Sequence, residues 1–186
     1  MKKKAIIISI KSYKLTKKEE KIFANENPWG LIIFKRNIKS FNQIKKLISK
    51  IRKLTNDDKF PIMIDEEGHT VTRLSKIINN DLSQKLIGDI YKSNPIIGLA
   101  IYKDYIKNLC IILNDIGINI NTVPVLDVLR KNTSKIIGTR SFSNNPYTVK
   151  KLGIACINQY DFNLLAFFIS YFSIKNLIIS IFYLRF

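Results

Sequence analysis

Apolar, β-branched runs alternate along the chain with stretches of helical period, and that alternation predicts an α/β fold with a parallel sheet. Ala5 to Ile10 reads as the first strand. Thr16 and Glu19 form a T-x-x-E capping box before Ile22 and Phe23, so a helix is expected to start there. Trp29 to Phe34 (WGLIIF) reads as a fully buried strand, and Ser40 with Gln43 opens a second capped helix with Ile44, Leu47, Ile48 and Ile51 on one face. Pro61 to Ile64 is the third strand, and a polar loop is expected to follow it. A long helical pattern then runs from about Pro95 to Asp115 and ends at Gly117, whose tolerance of positive φ suits a helix C-terminus. Ile118 to Asn121 is the fourth strand, and Asn145-Pro146 supplies the cap and first-turn proline of a helix through about Tyr160. Four βα units are predicted, fewer than a closed (β/α)₈ barrel needs.

At Leu164 the character changes. Residues 164–186 (LLAFFISYFSIKNLIISIFYLRF) hold no acid, histidine, glycine or proline, and Lys175 and Arg185 are their only charges. Some 20 apolar residues suffice to span a membrane, yet Lys175 falls at the centre, where insertion costs about 2.5–3.5 kcal/mol. A membrane anchor is therefore open but not favoured.

Composition adds constraints. At 186 residues the chain is one ordinary domain. Its formal net charge of +17 raises nucleic acid as a partner. The lysines, however, are spread among isoleucines and asparagines with no stripe or reading module, which argues against that role. Cys110 and Cys156 sit in apolar helical patterns without metal-ligand spacing, and read as buried free thiols. With a basic N-terminal run whose apolar part is too short for a secretory signal, they point to a cytoplasmic location. No metal constellation is present.

The candidate chemistry lies in PIMIDEEGHTVTRLSKI, residues 61–77, which joins a strand to three acids, a glycine and the only histidine. Functional residues of parallel barrels sit at the C-terminal ends of strands, where Asp65 falls. Its carboxylate can accept hydroxyl hydrogen bonds, and Arg73 and Arg140, also in post-strand loops, can supply forked donors. A solvated acidic loop is the alternative.

Taken together, GLIIFKRNI, IDEEGHTVTRL, GININTVPVLDV and IIGTRSFSNNPYTVKKLG resemble the N-terminal domain of family 3 glycoside hydrolases, in the family's order and over most of residues 1–163. Within the family, the resemblance is to the bacterial cytoplasmic β-N-acetylhexosaminidases of peptidoglycan recycling. It implies a TIM-type barrel, here incomplete, that hydrolyses terminal N-acetylglucosamine from muropeptides by a retaining mechanism without metal or other cofactor. It further implies sugar binding by Asp65, Arg73 and Arg140. Asp127 matches a position near the cleft, either structural or in contact with sugar, and Glu66 and Glu67 match a pair that organises the loop.

The family's acid/base histidine lies in a K-H-F-P-G-H-G segment after strand five, and its nucleophile is an Asp on a late strand. Neither is found: the one histidine is His69, where the family has glycine. No catalytic residue is assigned. His69 is either a new acid/base group or drift, and carries strain on the order of 1 kcal/mol if its φ is positive. The expectation is a truncated product whose tail replaces the later barrel; translation of the other reading frames tests it, and absence of the missing segment there counts against it. Such a half-barrel is expected to leave the edges of strands one and four open. Its tail would then pack over the open face as a helix, or it would associate with itself or with a complementing C-terminal fragment. A non-catalytic amino-sugar-binding module is the competing function.

Overall fold

The computed structural model describes residues 3–160 and the backbone of 165–166, 172–174 and 177–179. The predicted α/β class holds. β1 (Lys4–Ile8), β2 (Pro28–Ile33), β3 (Ile62–Ile64), β4 (Ile120–Asn121) and β5 (Leu165–Ala166) form one parallel sheet in sequential order. β6 (Phe172–Ile174) and β7 (Leu177–Ile179) form an antiparallel pair. Between the parallel strands run α1 (Lys17–Asn25), α2 (Phe41–Thr55), α3 (Gln84–Ser93), α4 (Pro95–Ile116) and α5 (Pro146–Tyr160). The four βα units stand, and a fifth strand follows them.

The capping residues behave as their chemistry requires. Thr16 and Glu19 close the full capping box on α1, and Ser40 accepts from the Gln43 N–H at 3.3 Å to start α2. Asn94 caps α4, whose first residue is Pro95, and Gly117 ends it at φ +97°. Helical side chains including Phe23, Ile44, Ile48, Ile106, Leu113 and Leu152 bury one face of the sheet through Leu31, Ile33, Ile62 and Ile64. Met63 and Ile120 lie on the opposite face with Trp29 and Ile32 packed against them. Trp29 and Ile32 are half-buried, so β2 is not the fully buried strand expected from its run of apolar residues.

Three further expectations are corrected. The segment after β3 is not all loop, because α3 occupies Gln84–Ser93. β4 is not an edge, because Ile120 and Asn121 pair with Leu165 and Ala166, which leaves β1 and β5 as the outer strands among the described residues. Within the tail, the described residues are strands, which corrects the first of the two alternatives for it, a helix packed over the open face. The remainder of that tail lies outside the described residues. Among the described residues, no helix is long and apolar enough to cross a membrane.

Candidate functional site

Register brings the site together. Ile33 on β2 pairs with Ile64 on β3, and Ile64 with Asn121 on β4. The next residue of each strand, Phe34, Asp65 and Thr122, therefore emerges at one end of the sheet, and strand alternation puts Asp65 on the face of Met63, away from the helices. The Thr122 hydroxyl donates to Asp65 Oδ1 at 2.7 Å, and Arg73 Nη2 donates to Asp65 Oδ2 at 3.1 Å. Both oxygens of Asp65 are thus oriented by protein donors while its side chain keeps 19% exposure. The Arg73 guanidinium carbon lies 5.8 Å from the centre of the Phe34 ring, within cation–π range. Among the described residues its buried Nε–H finds no acceptor, and the buried Thr72 hydroxyl no partner.

Glu66, one residue on, points the other way and is fully buried beneath the helices. Its Oε2 accepts the backbone N–H groups of Arg73 (2.7 Å) and Leu74 (3.0 Å), and its Oε1 accepts Asn80 Nδ2 at 2.6 Å. Asn80 Oδ1 in turn accepts the Tyr105 hydroxyl of α4. The Glu66 backbone exchanges two hydrogen bonds with the Asn121 amide, which also donates to the Tyr160 hydroxyl of α5. Glu66 organises the loop, as expected of it.

Glu67 is 2% exposed and receives a two-pronged hydrogen bond from Arg140, Nε to Oε2 and Nη2 to Oε1, both 2.8 Å. Burial pushes its carboxyl above the usual range, and the Arg140 charge offsets this only in part. Arg140 stands on a single 3₁₀ turn, Gly138–Arg140, in the loop after β4. Asp65 and Arg73 both lie close enough to act on the Glu67 charge, so the structure gathers all three sequence-predicted residues, Asp65, Arg73 and Arg140, into one cluster. Asp127 is buried in the same post-β4 loop, where its carbonyl accepts the Ser141 hydroxyl.

His69 is exposed, with φ +49°, so the conditional strain applies. Its N–H donates to the Asn80 carbonyl, and no described hydrogen bond joins its ring to Asp65. Among the described residues, no group of three or more His, Cys, Asp or Glu could hold a metal ion. Phe34, Asn80, Asn121 and Thr122 were missed as site residues. A polar Asn-Thr pair at the end of the fourth strand is the signal for the last two.

The chain matches the profile of the glycosyl hydrolase family 3 N terminal domain over residues 2–161. It is 28% identical over 151 residues to a beta-hexosaminidase of Neisseria gonorrhoeae (strain NCCP11945), covering 81% of this chain and 41% of that protein. It is 30% identical over 144 residues to beta-hexosaminidase A of Pseudoalteromonas piscicida, covering 71% of this chain and 22% of the relative. Among solved structures, native NagZ from Neisseria gonorrhoeae superposes with a TM-score of 0.79 at 25% identity, over 86% of this chain and 46% of that one. A second structure of that protein, in complex with N-trifluoroacetyl-D-glucosamine, gives 0.77 at 26% identity, over 86% of this chain and 47% of that one. The chain spans less than half the length of these relatives, and over that span it belongs to glycosyl hydrolase family 3, with the first strands and helices of the family's TIM-type barrel.

Proposed function

We propose that the chain binds the terminal N-acetylglucosamine of peptidoglycan fragments in the cytoplasm, with Asp65, Arg73 and Arg140 as the residues that grip the sugar, in the manner of a β-N-acetylhexosaminidase. The observation that carries this reading is Asp65, held at the strand end by Thr122 and Arg73 with both oxygens oriented and part of its surface open. A carboxylate so fixed accepts vicinal hydroxyls without first losing rotamer freedom, and charge-assisted acceptance is about twice as strong as neutral pairing. The relatives' names, and the bound amino-sugar derivative in one related structure, support the same ligand class. Two buried, unpaired thiols support the reducing compartment. For this chain taken alone we propose binding without turnover, since no residue is assigned to transfer the proton or attack the anomeric carbon.

Titration with N-acetylglucosamine, followed by calorimetry or amide shifts, tests the reading. Asp65→Ala is expected to weaken binding about tenfold to a hundredfold, the worth of one to two charged hydrogen bonds. A wild-type chain that fails to bind the sugar overturns it. A chromogenic β-N-acetylglucosaminide separates binding from hydrolysis: turnover that Asp65→Ala abolishes would replace the binding module with an enzyme.

A further inference from the structure

The loop after β3 and the loop after β4 each contribute to the cluster, and an ion pair joins them. Glu67 lies in the first and Arg140 in the second, 73 positions later. Arg140 stands on the short 3₁₀ turn Gly138–Arg140, and an arginine side chain has many rotamers to lose when its guanidinium is fixed. Two parallel N–H···O bonds of 2.8 Å to a carboxylate that is itself 2% exposed remove that freedom and define the plane. Glu67 is rigid in its turn. Its backbone N–H donates to the Val71 carbonyl, and the adjoining Gly68, at φ +93°, sits where a Cβ would come within 2.3 Å of the Leu82 carbonyl.

We propose that Glu67 is a positioning residue that acts through Arg140, fixing the guanidinium for the sugar and tying the post-β3 loop to the post-β4 loop as one binding surface. This rests on the sugar-binding reading above. Glu67 has no direct contact with the ligand in this account. It differs from Glu66, whose partners are backbone and amide groups of the loop and whose loss acts on folding.

The test is a double-mutant cycle on N-acetylglucosamine affinity with Glu67→Gln and Arg140→Lys, in the full chain. Gln keeps the size of Glu67 but turns an NH₂ toward the guanidinium, which breaks one prong. Glu67→Gln is expected to weaken binding at least about fivefold, and the double variant to bind no worse than Arg140→Lys alone. In parallel, the Arg140 Nε–H resonance is expected to be sharp and protected from exchange in the wild type and lost in Glu67→Gln, whether or not sugar is present. Wild-type binding with unchanged Glu67→Gln affinity, or losses that multiply in the double variant, overturn the inference alone. Failure of the wild type to bind sugar overturns the reading and the inference together. If Glu67→Gln does not fold, Glu67→Asp, which keeps the charge but shortens the reach, takes its place, with the same weakening expected and unchanged affinity overturning the inference.

Discussion

Glu66 and Glu67 are neighbours in the chain with opposite means of carrying a buried charge. Glu67 is matched by a guanidinium, whereas Glu66 rests on three neutral donors, two from the backbone and one from Asn80. Removing the Glu66 carboxylate strands those donors, and each buried unsatisfied group costs about 1–3 kcal/mol. Glu66→Ala is therefore expected to lose at least about 3 kcal/mol in urea unfolding. Glu66→Gln should recover more than half, since its oxygen can take both backbone N–H groups while Asn80 turns its own oxygen toward the new NH₂. The Tyr105 hydroxyl, now facing the Asn80 amide nitrogen, would switch from donor to acceptor. A loss below about 1 kcal/mol for the alanine variant would refute the clamp. Asp65, Arg73 and Arg140 were legible in the sequence as post-strand polar residues, but their partners were not. Nothing in the spacing says that Thr122 will meet Asp65, because that contact exists only once β3 and β4 are in register.

At the scale of elements, caps and periodic apolar faces made α1, α2, α4 and α5 readable, because those signals are local. α3 escaped. Its ten residues include an interior glycine, which costs about 1 kcal/mol against alanine in an isolated helix. The tertiary structure supplies the reason for that glycine: a Cβ at Gly88 would lie 1.8 Å from the Phe142 carbonyl, so α3 can approach the post-β4 loop only without a side chain there. Gly88→Ala is accordingly expected to destabilise by about 1–3 kcal/mol despite its better helix propensity. A higher urea midpoint for this variant would show that the approach is not close. Gly88 thus sets the distance of α3 from the segment bearing Arg140.

For the whole molecule, sheet order and charge act against each other. β1 is an edge strand, and Ile6 and Ile7 on it are 48% and 41% exposed, a surface suited to pairing with another chain. The net charge of +17 opposes association through long-range repulsion, which salt screens within about 8 Å at physiological strength. Light scattering is expected to show concentration-dependent association that strengthens with salt. Ile7→Lys should weaken it about tenfold, the equivalent of roughly 1.4 kcal/mol. Scattering that stays monomeric at high salt and high concentration would remove the edge as an association surface.

Strand and helix alternation, most helix boundaries and the strand-end placement of Asp65 are written in the chain, since periodicity, capping and chain order are properties of neighbouring residues. Folding in three dimensions adds that Leu165 and Ala166 extend the sheet beside β4, that Glu66 faces the helices while Asp65 faces away, and that Arg140 closes on Glu67. Those outcomes depend on register and on contacts across tens of residues. A buried charge finds its partner through such contacts, and no local pattern in the chain records which partner it will be.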